Sequence, residues 1–391
     1  MAKLKKTKKL RVLRIAHSSL TPALRERERA LVRAHDNVDL QVLTTNRWKE
    51  AEIEVDALPD DLFPVRKARP LLSKHIQLFA YDPRPLIKAL QDHRPHLIDM
   101  NHEPYSVACA QVLTTCQMYA PDAPVVMQTA QNIFKRYPFP FNWMEQRAFR
   151  RISAAYVCSE TVREVLRAKG FSKPVPIIPF GVDVNAFAPS PRKPNTDAPV
   201  IGYVGRMLPG KGLDVLSSAL RQMRDDKWNL LVVGDGPERA KFTSEITDAG
   251  LLDRTRFTGA VSYDSTPEYF KQIDVLVVPT VTTERIREQF GRVIVEAMAS
   301  GVPVIGSTCG AIPEVIADAG LVVPEGDASA LAGAIREVIN DQSSRERFGR
   351  EGRRRVEQNY TWEIVGKKTY ELYEQVLSAT KVFNPGLELA A

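Results

Sequence analysis

Short apolar runs recur along this chain with helical patterns between them. A run too short for a helix and without polar alternation reads as a strand buried on both faces, and such strands pair in parallel through crossover helices. In the first half the expected strands are Val12 to Ala16, Leu40 to Thr44, Leu97 to Met100, Val125 to Gln128, Ala154 to Cys158 and Val175 to Ile178. Apolar spacing predicts helices over Pro83 to His93 and Tyr105 to Met118. Thr161-Val162-Arg163-Glu164 fits a capping box opening a helix that Gly170 ends.

Ala186 to Pro199 carries four prolines and no periodicity, so it reads as a linker. After it the alternation restarts: Val200 to Val204, Leu230 to Val233, Arg256 to Thr258, Val275 to Val278, Val302 to Ile305 and Leu321 to Val323. The expected class is α/β, with two Rossmann-like doubly wound domains over 1–185 and 200–364, joined by 186–199. The length of 391 residues suits two cores. In such sheets ligands sit outside the carboxyl ends of the strands, so a cleft between facing domains is the expected site. A terminal helix, within 365–391, is expected to pack back on the first domain. Arg345 to Arg355 reads as a solvated helix face.

A net charge of +7 with acidic residues interspersed does not indicate a nucleic-acid binder, although anionic ligands fit. Cys109, Cys116, Cys158 and Cys309 have no C-x-x-C spacing, so neither zinc nor a disulfide framework is expected. No run approaches the about 18 residues of a spanning helix, and the start lacks the apolar stretch of a signal peptide. The expectation is a cytoplasmic protein. Lys3, Lys5, Lys6, Lys8 and Lys9 near the start read as a solvated tail, with peripheral contact to an anionic membrane as the alternative.

Two segments carry chemistry. Gly202 to Gly212 leaves a buried strand, turns on glycines and enters a helix at Leu213; its backbone donors with Arg206 and Lys211 suit a phosphate. As a P-loop it matches G-x-x-x-x-G-K, but Gly212 stands where a Ser or Thr hydroxyl should bind magnesium, which argues against an NTPase. In Glu288 to Ile305, Gly291 opens a helix that Gly301 terminates. Its free N–H groups favour an anion, while Glu288 before it and Glu296 in its second turn suit ribose or sugar hydroxyls.

Together the glycine turn, Val232-Val233-Gly234-Asp235-Gly236-Pro237, the E-x7-E pair Glu288/Glu296 with Phe290-Gly291, and Gly310-Ala311-Ile312-Pro313-Glu314 resemble the retaining family 4, or group 1, glycosyltransferases of the GT-B fold. Through the first half, Pro95 to Asp99, Asn101-His102-Glu103-Pro104, Ser159-Glu160-Thr161 and Ile178 to Asp183 are similar to that family's segments.

The resemblance implies that Gly205, Arg206 and Lys211 hold the donor diphosphate and its departing charge. It implies that Glu296 binds the ribose hydroxyls, that Glu288 with the Phe290, Gly291, Arg292 and Val293 backbone holds the donor hexose, and that Gly234, Asp235 and Val261 flank the nucleobase. Glu288, Arg206 and Lys211 are the expected catalytic groups. Fixed cations aimed at the leaving diphosphate stabilise the transition state without a metal, so no cofactor is expected.

Ser18, Ser19, His102 and Gln128 fall on the acceptor side. Two departures stand there: His17 to Pro22 replaces a glycine-rich loop, and Gln128 stands where many relatives carry a His, so no catalytic histidine is carried over. The implied reaction is hexosyl transfer from a UDP- or GDP-sugar to a carbohydrate or lipid-linked acceptor. A nucleotide-sugar 2-epimerase and a non-catalytic nucleotide-binding protein are the alternatives. Phe134 to Trp143, rich in aromatics and prolines, reads as a loop that either tucks onto its domain or meets a sugar or lipid headgroup.

Overall fold

The computed structural model describes residues 9–50, 53–73, 75–190 and 198–380; Lys3 to Lys8, part of the expected linker and the last residues of the expected terminal helix lie outside them. The chain divides into two compact units. One holds the residues up to Cys158, Val162–Gly181 and Trp362 onward; the other holds Ser159–Thr161 and Val182–Thr361.

The first unit is built on six parallel strands: β1 (Leu10–Ala16), β2 (Val38–Thr45), β3 (Val65–Ala68), β4 (Leu97–Asn101), β5 (Val125–Gln128) and β6 (Ala154–Tyr156), in the order β6-β5-β4-β1-β2-β3. Burial on both faces explains their continuous apolar runs: six of the seven β1 residues are buried. The second unit repeats the plan with β7 (Val200–Val204), β8 (Asn229–Val233), β9 (Thr255–Phe257), β10 (Val275–Val278), β11 (Val304–Ser307) and β12 (Leu321–Val323), ordered β9-β8-β7-β10-β11-β12. In each sheet the direction of winding reverses beside the first strand, between β1 and β4 and between β7 and β10.

Several expectations are corrected. Val175 to Ile178 forms no strand; it joins the sheet edge through a single Val157–Ile177 bridge, because Pro174, Pro176 and Pro179 remove ladder donors. The sixth strand is instead β3, at the opposite edge, whose Arg66 and Lys67 mask it as a short edge strand. The capping box fails by one residue. Helix α1 (Glu160–Ala168) already includes Thr161, although Gly170 does follow its end with φ +96°.

Ala186 to Ser190, expected in the linker, belongs with the second unit: the buried Phe187 ring packs on Tyr263 and Phe270. Arg353 secures it, donating to the carbonyls of Val184, Phe187 and Ala299 at 3.0, 2.9 and 2.8 Å. Arg355 likewise donates to Glu314 and Val315 carbonyls, so the expected solvated face holds for Glu346, Arg347, Arg350 and Arg354, which are exposed, and fails for Arg353 and Arg355. Those two satisfy carbonyls that neighbouring elements leave open.

The last helix, α2 (Trp362–Thr380), buries Val365, Tyr373, Val376 and Leu377 in the first unit. It lies across Glu26–Ala34, where a Cβ on Gly366 would sit 3.0 Å from the Ala30 carbonyl carbon. That glycine permits the close crossing.

Candidate functional site

The winding reversal of the second sheet places a cavity of about 320 Å³ at the carboxyl ends of β7 and β10. Its wall includes Gly205, Arg206 and Lys211 from the turn after β7, Val278 to Thr280 from β10, and Glu288 with Gly291 to Val293. The turn depends on glycine. Gly212 caps the next helix, α3 (Leu213–Gln222), at φ +72°, and a Cβ there would lie 1.8 Å from the Pro279 carbonyl oxygen. The hydroxyl that a P-loop needs is therefore sterically barred.

Gly291 likewise caps α4 (Arg292–Ala299) at φ +81°, so that helix's first N–H groups open beside the cavity. The Glu288 backbone is fixed by Gly310, on which a Cβ would approach the Glu288 carbonyl oxygen to 2.1 Å, and by the Ala311 N–H, which donates to that oxygen at 3.0 Å. The Glu288 carboxylate receives Lys211 Nζ at 2.6 Å, with both side chains partly accessible. Arg206, also in the cavity wall, is exposed. Cations, a carboxylate and a helix N-terminus thus line one hollow, a set able to hold an anion beside hydroxyl groups.

The remaining donor-side residues stand outside this wall. Glu296 is buried one turn further along α4, 3.9 Å from Arg292 Nη2 and hydrogen-bonded to Tyr263. Burial raises its pKa, and Arg292 and Tyr263 partly oppose the rise. The Arg292 guanidinium also covers the Tyr263 ring at 5.1 Å. Tyr263 escaped the sequence reasoning, since a lone Tyr in a polar stretch carries no pattern.

Gly234 passes so close to Gly205 that a Cβ would lie 2.0 Å from its carbonyl oxygen. The Asp235 carboxylate is held by the Gly236 N–H and by Arg239 at 2.6 Å, which lowers its pKa. Val261 is partly buried. The Phe290 side chain is buried against Tyr360, leaving only its backbone for a ligand.

In the first unit, Ser18 and buried Ser19 follow β1, and His102 follows β4. Gln128 closes β5, where its Oε1 accepts from Arg14 Nη2 at 2.7 Å. His17, which the sequence reading gave no role, stacks on His102 with ring centroids 5.4 Å apart. The aromatic loop divides. Tyr137 stacks on Tyr105 at 4.0 Å under Lys169, while Phe139 is 78% exposed, and from Phe141 the chain is already helical. Among the described residues no helix is long and apolar enough to cross a membrane, and no group of three or more His, Cys, Asp or Glu could hold a metal.

Comparison with known proteins follows the same division of the chain. The family model described as glycosyl transferases group 1 matches residues 186–355, and that of glycosyltransferase family 4 matches 24–186. The chain is 31% identical to the 2-deoxystreptamine glucosyltransferase of Streptomyces kanamyceticus over 51% of its own length and 54% of that protein's. It is also 31% identical to the GDP-mannose-dependent alpha-(1-6)-phosphatidylinositol monomannoside mannosyltransferase of Mycobacterium tuberculosis, over 54% of this chain and 59% of that one. The matches thus span little more than half the length of these curated relatives.

Among solved structures, sucrose-phosphate synthase from Thermosynechococcus elongatus aligns with TM-score 0.71 at 21% identity, over 95% of this chain and all of its own. Anabaena HepE in complex with UDP aligns with TM-score 0.73 at 20% identity, over 93% and 100%. At such identities the likeness shows the fold, which is GT-B. With both family models matched in order, the chain belongs to the family 4, group 1 glycosyltransferases.

Proposed function

We propose that this protein is a retaining, metal-independent transferase that moves a hexose from a UDP- or GDP-sugar to a carbohydrate or lipid-linked acceptor. The observation that carries the reading is the single cavity in which Arg206 and Lys211 meet Glu288 and the N-terminus of α4. The cations and amide dipoles take up the charge that grows on the diphosphate as the glycosidic bond breaks, which lowers the barrier without a Lewis acid. Glu288 accepts hydrogen bonds from hexose hydroxyls and Glu296 from the ribose diol. Attack comes from the face the diphosphate leaves, with the departing phosphate oxygen taking the acceptor's proton. The same reading places the protein in the cytoplasm, peripheral to the inner face of the membrane when its acceptor is lipid-linked.

The test is a thermal-shift and calorimetric screen of UDP, GDP and their sugars in chelator, since a ligand bound only by the folded state stabilises by RT ln(1 + [L]/Kd). One nucleotide series should bind, Glu296→Ala should abolish the shift, and the transferred sugar should keep its anomeric configuration. Failure of every nucleotide sugar to bind overturns the reading, and loss of turnover in chelator overturns metal independence.

A further inference from the structure

Two helices of the first unit, Val107–Tyr119 and Phe141–Arg151, enclose a second cavity of about 230 Å³, lined by Leu113 and Gln117 from one and by Arg147, Arg150 and Arg151 from the other. The helices follow β4 and β5 and run back along the sheet, so their last turns lie at its amino-terminal edge. There Arg151 Nη2 donates to the Pro121 carbonyl at 3.0 Å, just before β5 begins. The pocket is thus at the opposite end from the carboxyl ends where ligands of such sheets sit.

The three arginines share one helix face, at spacings of three and four residues. The other face buries Glu145, Ala148 and Phe149. Glu145 is that helix's one acid, and Lys169 takes it at 2.7 Å, while the helix Val107–Tyr119 has no charged residue. Among the described residues no carboxylate comes within ion-pair reach of Arg147, Arg150 or Arg151.

Compensation of the helix dipole explains cations on terminal carbonyls, which is where Arg151 and Lys173 sit: Lys173 Nζ donates to the Arg150 carbonyl at 2.6 Å and to that of Ile152. It does not explain Arg147 and Arg150, whose guanidiniums donate no hydrogen bond among the described residues, nor Arg151 Nε, buried without a partner. The positive field is uncompensated. Burial and the Arg151 charge together hold Lys173 below the ordinary lysine pKa.

Apolar surface adjoins these cations. Trp143, one turn before Arg147, is 49% exposed with the Arg147 guanidinium 5.7 Å from its ring, and Met118, next to Gln117, is 62% exposed. Phe139, Lys135 and Arg136 stand exposed in the loop that leads into the helix. Aromatic rings among cations suit the boundary between lipid headgroups and chains, where the ring lies at the interface, arginine stems cover apolar ground and their forks pair with phosphate oxygens.

We infer that this face, running from Phe139 to Arg151 with Met118 beside it, docks on an anionic phospholipid bilayer. One lipid phosphate occupies the arginine pocket and the Trp143 ring enters the interfacial layer. The inference rests on the peripheral-membrane part of the proposed function and assigns the contact to a folded helix face in place of the lysine-rich start. It uses no group of the donor cavity.

The test floats the full chain with vesicles of phosphatidylcholine alone and of phosphatidylcholine mixed with phosphatidylglycerol. The mixed vesicles should carry the protein and the neutral ones should not. Arg147→Gln/Arg150→Gln should weaken partition into mixed vesicles at least about tenfold, since each cation near an anionic surface is worth roughly fivefold. Arg221→Gln/Lys227→Gln removes the same charge from exposed positions of the second unit and should weaken it less than about threefold. Tryptophan emission should shift to the blue on mixed vesicles and be quenched by brominated chains, and Trp143→Phe should abolish both changes while still binding.

A smaller loss from the pocket pair, an equal loss from the second-unit pair, or emission changes that survive Trp143→Phe overturn the inference alone and leave a peripheral protein held elsewhere. Absence of binding to mixed vesicles overturns it together with the peripheral reading, and nucleotide binding tests the transferase reading separately. Saturable binding of glycerol phosphate by protein that ignores vesicles would mark a pocket for a soluble anion and overturn the docking surface. The Trp143→Phe comparison decides even where the arginine variant fails to fold.

Discussion

Lys211 Nζ stands 2.6 Å from Glu288 Oε2, an ion pair closing the cavity across 77 residues of sequence. The pair sets the two groups' roles against each other, because a diphosphate competes with Glu288 for the same ammonium.

Glu288→Gln should therefore separate binding from turnover. Removing the carboxylate frees Lys211, and a partly exposed pair of this kind is worth about 1 kcal/mol or less, so UDP or GDP alone should bind up to several-fold more tightly. Turnover should fall, since the hexose loses a charged hydrogen-bond acceptor. Calorimetry and initial rates on the same preparation check both. An unchanged rate would remove Glu288 from the donor site.

Glu296 gives donor binding a pH dependence of definite sign. Its folded pKa lies above the ordinary 4.5, chiefly through burial. As pH falls toward that raised value the carboxylate takes a proton and can no longer accept from both ribose hydroxyls. Nucleotide affinity should drop at a pH where exposed carboxylates are still ionised. For stability the sign is opposite: the folded state holds this proton more tightly, so this group's contribution diminishes as pH rises from the ordinary value through the raised one. Titrations of the nucleotide sugar, whose doubly esterified diphosphate has no ionisation in this window, between pH 8 and 5 should show the loss in the wild type and a flat profile in Glu296→Gln.

Gly212→Ser supplies the hydroxyl that a P-loop would use, and it should yield no magnesium-dependent hydrolysis of ATP. Instead it should destabilise the second unit. A left-handed non-glycine residue costs roughly 1–3 kcal/mol, and the Cβ position 1.8 Å from the Pro279 oxygen forces the turn to move. Denaturant unfolding measures the drop.

Much of this was legible because the folding rule and the ligand rule coincide. A strand buried on both faces must be a continuous apolar run, and the glycines that let the chain turn after it are the ones that bring backbone to the ligand. Gly205, Gly212 and Gly291 could be read for both reasons at once. What escaped the reading lacked either signal. Val65–Ala68 carries two cations on an edge, Phe187 looks like linker because prolines surround it, and Arg353 looks solvated until the carbonyls it reaches are seen. His17 stacks on His102, 85 residues away, and only the register of β1 with β4 joins them.

The last helix offers a graded test of the first unit's packing. Tyr373 donates to Asp99 Oδ2 at 2.5 Å from α2, and the same fully buried carboxylate receives Arg14 at 2.6 Å, Arg27 at 3.2 Å and the Tyr156 hydroxyl at 3.0 Å. Tyr373→Phe deletes one donor and leaves three, with no charge stranded, so it should cost about 1–2 kcal/mol. Asp99→Asn removes the charge that two buried guanidiniums share. Among the described residues Arg14 and Arg27 then retain only Glu28 between them as a carboxylate partner, and leaving buried charge under-compensated typically costs about 3–5 kcal/mol. Urea unfolding of both variants should therefore show a small loss for the tyrosine and a loss at least twice as large for the aspartate. Equal losses would mean that the network is held by packing of the α2 rings, with its charges contributing little.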